Sequence, residues 1–355
     1  MPNHHKLAAQ FAVCDNFYCD SDVSADGHRW LSGTYPNEWV EVNVASAYGG
    51  GRNPKPVSTA PGVLAMTGSS GAVYPEDLNE AGTLWDHFER NKVDFFNFGF
   101  GLDQVNTIED MAFKHTGERY TVNYPIPAPL HTRSSDLFPT WNMAIPDQFR
   151  MDMFIREFKD RWVGEGKTMP QVLTVYLPND HGAGVRPGAG YPMVESYMMD
   201  NDLALGRLVD FLSHTPYWKN MAILVTEDDP QGGVDHVDAH RSIAMVISPY
   251  AKKGHVSHVH TSFGSLMKTM WNVLGVPYLN QYDASVADMA DCFMDSPDPT
   301  PYVALPVDTD IFDPEKAMTP LDENFDWEAL FASPELDDPE TMKEWSEAAR
   351  EAKEA

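Results

Sequence analysis

Basic residues are scarce in this chain. Against 53 aspartates and glutamates stand only 25 lysines and arginines, a formal net charge of −28 over 355 residues. Such a balance argues against nucleic-acid binding, because a phosphate backbone is repelled by it. It is compatible with cation-rich or saline surroundings. Cysteine is scarcer still: Cys14, Cys19 and Cys292 are too few for a disulfide framework, and neither a CxxC pair nor a zinc-finger spacing occurs. They read as buried or idle thiols. No run approaches the ~20 apolar residues a membrane span requires, and no internal repeat is present. The first residues, MPNHHKLAAQ, lack the charged leader and apolar core of a signal peptide. They imply a cytoplasmic protein or a start lying upstream of this one. What remains is an ordinary globular composition, 43% hydrophobic, long enough for one large or two modest domains.

Periodicity gives alternating strands and helices, hence an α/β fold with a mostly parallel sheet covered on both faces. A short helix near 3–11 feeds a strand at 12–19 (AVCDNFYC), and a helix begins around Ser24. Residues 43–75, rich in Gly, Pro, Ser and Asn, predict a long irregular segment. A helix at 84–91 leads into a strand at 94–101; residues 102–145 carry no period and read as an insertion or cap. The spacing predicts helices at 148–162, 194–214 and 262–275, with strands at 172–177, 222–226 and 243–250. Met198, Leu205, Leu208, Val209 and Leu212 fall on the face predicted to meet the sheet. The domain is expected to span 1–299, and the acidic, Pro-rich stretch 300–355 to be a poorly packed extension with a helix near 339–353.

Three clusters carry chemistry. The richest follows the strand at 222–226: Glu227, Asp228 and Asp229, a Gly-Gly turn, then Asp235, His236, Asp238 and His240. Acids and imidazoles just past a strand's carboxyl end are how open α/β sheets build ligand sites, and this oxygen–nitrogen mixture suits divalent metals. The second is LPNDHG, where Asp180 and His181 follow the strand at 172–177. The third is DSDVSADGHRW at 20–30, where Ser24 stands at a strand-to-helix turn. A hydroxyl there lies at a helix N-terminus, whose free N–H groups attract phosphate, and a nearby metal would lower its pKa. Each has a plainer alternative: Ser24 as an N-cap, Asp180 in an Asx-turn, His181 as structural, and 235–240 as a solvated loop.

The strings VSADGHRW, LPNDH, DNDLALGRLVDFLSHTPYWKN, TEDDPQGGVDHVDAHR, VISPYAKKG and LNQYDAS resemble the phosphoesterase family of the alkaline phosphatase superfamily. The likeness runs from about residue 2 to 293 and is densest over 171–292. It implies an α/β/α sandwich and metal-dependent hydrolysis of phosphate esters through a hydroxyl nucleophile. By position Ser24 is similar to the nucleophile, because its helix leads to SGTYP (32–36). Asp228 and Asp229 resemble the metal pair and Asp180 the second metal's aspartate. His236 and His240 are implied ligands, and His28 and His181 implied phosphate contacts. His255, His258 and His260 read as surface residues. The implied cofactor is a divalent ion (Zn, Mn or Ca), and the implied partner a phosphate-ester substrate. Some relatives carry a β-propeller ahead of the domain, and many are exported, so a periplasmic or extracellular place is implied.

Relatives also have an upstream strand ending in a Glu-Asn metal pair, absent from this sequence, so the chain is expected to be N-terminally truncated with a weakened metal site. The competing reading is a non-catalytic relative serving as a cation-binding or interaction module.

Overall fold

The computed structural model describes residues 1–21, 23–33, 38, 80–104, 123–125, 127–230 and 238–318, all within one compact unit, Met1–Thr319. Helix α1 (Pro2–Gln10) leads directly into strand β1 (Ala12–Tyr18), and α2 (Ser24–Gly33) follows it. Then come α3 (Leu84–Arg90), β2 (Phe95–Phe98), the short pair β3 (Asp103–Gln104) and β4 (Asn123–Tyr124), and α4 (Asp147–Trp162). Strand β5 (Val172–Val175) precedes the long α5 (Glu195–Ser213), which is followed by β6 (Ile223–Thr226) and β7 (Arg241–Ile247). The unit closes with β8 (His255–Ser257), β9 (Thr261–Ser262), α6 (Phe263–Leu274), α7 (Gln281–Ser285) and α8 (Pro314–Met318).

The fold is α/β, with helices packed on a central sheet ordered β6-β7-β1-β8, β9 also pairing with β1. Strand β1 is parallel to β8 and β9, and β2 is parallel to β5. Strand β7 departs from the parallel pattern, running antiparallel to both β1 and β6. Strands β6 and β7, consecutive in sequence, are thus antiparallel neighbours. Because β1 and β6 both oppose β7, they are parallel to each other. Their carboxyl ends share one edge, and that edge holds the site.

The predicted helical stripes are the packed ones. Met151, Phe154, Phe158 and Trp162 of α4 are buried at three- and four-residue spacing. Phe98 meets the rings of Phe138, Phe154 and Trp162 at 5.6, 4.7 and 6.1 Å. Each buried aromatic side chain contributes on the order of 1.5–3 kcal/mol. On α5, Leu205, Leu208, Val209 and Leu212 are buried, but Met198 faces outward at 40% exposure. In that first half of the helix three polar residues, Asp200, Asn201 and Asp202, are inside together with Tyr197 and Met199.

Those polar residues explain a second departure from the sequence reading. Residues 127–146, expected to belong to an insertion or cap, place Leu130, Phe138 and Ile145 in the interior. A segment with no periodicity can be buried only if its carbonyls find donors. Arg150, fully buried, supplies them, reaching the carbonyls of Pro139, Thr140, Asn142 and Ile145 at 2.7–3.0 Å. Its charge meets Asp147 Oδ1 at 3.0 Å. Asp200 accepts the Asp147 and Gln148 N–H groups, the Asn179 amide and the Tyr191 hydroxyl.

The described stretch past residue 300 is likewise packed. The buried Tyr302 hydroxyl donates to Asn3 Oδ1 at 2.8 Å, and Asn3 also bridges the backbone of Leu305. Phe312 is buried against Tyr191, with ring centroids 5.1 Å apart. The predicted helix at 339–353 and the irregular segment 43–75 lie outside the described residues.

Candidate active site

The carboxyl ends of β1 and β6 bring Ser24 and the acidic pair together. Ser24 is the first residue of α2, whose opening turn is tied down by the Asp26 and Gly27 N–H groups bonding Val23 O. Its hydroxyl does not cap its own helix. It donates to Asp229 Oδ2 at 2.6 Å, across 205 residues of sequence. Asp229 is buried, at 5% exposure. Beside it, Ser21 Oγ donates to Asp228 O at 2.6 Å. Gly27 faces the same carbonyl so closely that a Cβ there would lie 1.9 Å from Asp228 O. Only glycine allows this approach.

His28, one turn into α2, orients the second carboxylate: its Nε2 meets Asp228 Oδ2 at 3.1 Å. The imidazole is 3% exposed, and its Nδ1 has no hydrogen-bonding partner among the described residues. Phe100 and Tyr176, past the ends of β2 and β5, hold the ring at centroid distances of 5.2 and 5.0 Å. Burial pushes the Asp228 carboxyl up. The hydrogen bond and charge of His28, with backbone N–H groups at 228 and 229, outweigh that and hold it below its ordinary range.

Asp180 joins the cluster electrostatically. It lies in a 3-10 turn, Pro178–His181, just beyond β5. Burial raises its carboxyl well above the ordinary range, and the charges of Glu227, Asp228 and Asp147 push the same way. Glu227 is raised too, first by burial, with Asp228 and Asp229 adding to it. The preceding Asn179 is fully buried and bonded to Asp147 and Asp200, so the 147–200 network fixes this turn.

Two of the other expected residues make local contacts. His181 is exposed, set edge-on against Trp141 at 4.7 Å, with Nδ1 contacting Gly182 O at 3.0 Å. His240 contacts its neighbour Asp238 at 3.3 Å. His236 lies outside the described residues. His255 and His258 pair with Asp291 and Asp15, and His260 stacks on Tyr18. Residues the sequence reading passed over include Ser21, Gly27, Phe100, Tyr176 and Asp20. Asp20 lies two residues past β1, where it accepts hydrogen bonds from the Tyr282 hydroxyl and from Phe263 N–H. Position after a strand is the only mark the sequence gives them, and Gly27, inside α2, lacks even that.

The donors fit a divalent cation in kind. Adjacent, ionisable oxygen ligands at Asp228 and Asp229, with the crowded acids Asp180 and Glu227 beside them, form a set that a cation would neutralise. Among the described residues no three His, Cys, Asp or Glu side chains converge on one point.

Comparison with known proteins then gives a family. Residues 1–277 match the model of the Phosphoesterase family. Phospholipase C B of Mycobacterium tuberculosis is 23% identical over 347 aligned residues, covering 85% of this chain and 56% of that protein. Phospholipase C A of the same organism is 30% identical over 98 residues, 27% of this chain and 16% of that protein. The chain thus spans 56% or less of the length of these curated relatives. Similar solved structures include a phosphonate monoester hydrolase from Silicibacter pomeroyi, with 13% identity, a TM-score of 0.41, and coverage of 84% of this chain and 72% of that one. An alkaline phosphatase superfamily protein from Vibrio parahaemolyticus has 12% identity, a TM-score of 0.45, and coverage of 89% and 79%. No described helix is long and apolar enough to cross a membrane.

Proposed function

The chain belongs to the Phosphoesterase family, and from that membership we propose that it is a metal-dependent hydrolase of phosphate esters with Ser24 as nucleophile. One observation carries the reading: the Ser24 hydroxyl, at the start of α2, donates at 2.6 Å to the buried carboxylate of Asp229. A serine is a weak nucleophile until its proton has somewhere to go. Asp229 lies where it can take that proton as the oxygen attacks phosphorus. The positive end of the α2 dipole, where Ser24 stands, favours the negative phosphoryl oxygens. Attack displaces the alcohol and leaves a phosphoseryl group, which water then hydrolyses. His28 keeps Asp228 ionised and in place beside this centre.

Asp228 and Asp229 would hold the cation, with Asp180 beside them and His236 and His240 on the connection that follows. When bound, such an ion withdraws charge from the phosphoryl group and lowers the hydroxyl's pKa. His181, exposed just past β5, is assigned to phosphate contact.

The test is turnover of p-nitrophenyl phosphate and bis(p-nitrophenyl) phosphate after chelation and re-addition of Mn²⁺, Zn²⁺ or Ca²⁺. Turnover is expected to depend on the ion and to fall by about a thousandfold or more in Ser24→Ala, with unchanged circular dichroism. Metal-independent turnover, or none in any condition, would sink the proposal, and so would a Ser24→Ala protein as active as the wild type.

A further inference from the structure

We propose that Cys14 and Cys292 form a redox site: a thiol pair that closes into a disulfide between the central strand and the chain's last turn before the 300s. Their sulfurs are 3.6 Å apart across 278 residues of sequence, the distance of two sulfur atoms in van der Waals contact. Both side chains are buried, at 2% and 0% exposure. An S–S bond of ~2.05 Å requires these contacting sulfurs to close by roughly 1.5 Å.

The frame around them holds the alignment. Cys14 lies in the middle of β1, opposite Ala244 of β7 and Ser257 of β8. Cys292 ends a 3-10 turn, Ala290–Cys292. Its carbonyl accepts the Lys252 N–H at 2.9 Å, and Phe293 bridges Ala251. Asp291 clamps the same turn to β8 through His255 at 2.9 Å and to Lys252 at 3.3 Å. The β1 backbone and the 290–292 turn are thus each held in place, with the two sulfurs in contact between them.

The chemistry balances as thiol–disulfide exchange with a small-molecule disulfide. The Cys292 thiolate attacks one sulfur of the oxidant, forming a mixed disulfide and releasing one thiol. Cys14 then gives up its proton and attacks Cys292 Sγ, expelling the second thiol. Two protein thiols are oxidised and one small disulfide is reduced. Cys292 is the better first nucleophile: the Cys14 hydrogen bond lowers its thiol, while the same contact and burial raise that of Cys14. Entry of the oxidant requires brief opening of the 290–292 turn, which joins the sheet through few backbone bonds. Cys19 takes no part. It is buried beside Glu227 O, and burial pushes its thiol up to about 12.

The experiment incubates the full chain in glutathione redox buffers of increasing oxidised fraction until thiol content is constant. One arm uses the native protein and a second refolds it from guanidinium in the same buffers. Free thiols are then counted with Ellman's reagent in denaturant and linked peptides mapped without reduction. The expected result is a fall from three thiols to one, with a 14–292 peptide and a free Cys19, reversed by dithiothreitol. Cys19→Ala should fall from two thiols to none, and Cys292→Ser should keep its two. Three free thiols in both arms, or glutathione left on Cys292 as a stable mixed disulfide, would overturn the proposal. A link involving Cys19 would do so as well.

Discussion

Gly27 and the Ser24 hydroxyl show how narrowly single atoms define this site. At position 27 a methyl group would occupy the space of the Asp228 carbonyl, 1.9 Å away. The contact is with backbone, so no side chain can swing aside to relieve it. Gly27→Ala is expected to push the start of α2 away from the acidic loop, lengthening the Ser24–Asp229 hydrogen bond. Turnover should drop by about a hundredfold or more, with a much smaller change in melting temperature. A variant with full activity would mean that the close approach of α2 is not needed. Ser24, Asp228, Asp229 and Asp180 stand out in sequence because each follows a strand. Gly27 was not: nothing in DGHRW indicates which carbonyl the glycine will face.

At the scale of elements, the start of α4 joins the site to the core. Asp147, Arg150, Asn179 and Asp200 are all fully buried, and together they bind the 127–146 segment to the turn carrying Asp180. Burial raises the Asp147 carboxyl, Asp200 adds to it, and the opposing pull of Arg150 does not cancel them. The folded state therefore holds this proton at pH values where the unfolded chain has released it. Stability from this group is present below the ordinary carboxylate pKa of about 4 and declines as pH rises above it, by up to about 1 kcal/mol per pH unit. Asp147→Asn lacks that decline. Although destabilised overall by mispaired amides, the variant should close part of its gap to the wild type as pH rises from 4 toward neutrality. Urea denaturation at several pH values measures this, and a constant or widening gap would refute it. The polar face of α5 was not legible, since helical periodicity predicts apolar residues wherever a helix is buried. Here Asp200 and Asp202 are inside because the Asp147, Asn3 and His4 N–H groups donate to them, and Asn201 because its amide donates to the Leu177 carbonyl.

For the whole molecule, the excess of acids sets the long-range balance. A formal charge of −28 repels itself in the compact state more than in an expanded one. Raising NaCl from about 20 mM to about 0.5 M shortens the reach of that repulsion from tens of ångströms to a few. The melting temperature should rise by several degrees over that range. A flat or falling response would show that attractive ion pairs, such as Lys253 with Asp298 and Arg207 with Asp152, outweigh the general repulsion.

Sequence alone determined the α/β class and the order and limits of most elements, and it singled out the serine and acids that follow strands. It could do so because burial imposes a period on each element and site residues follow strands. Tertiary structure alone decided the rest. It reversed β7 between β1 and β6, buried the aperiodic 127–146 segment around Arg150, and tied Asn3 to Tyr302. It also directed the Ser24 hydroxyl to Asp229 and placed Cys14 against Cys292. The physical reason is the same in each case. These outcomes depend on which distant groups satisfy one another's hydrogen bonds, charges and volumes, and that is a property of the packed chain rather than of any local stretch of it.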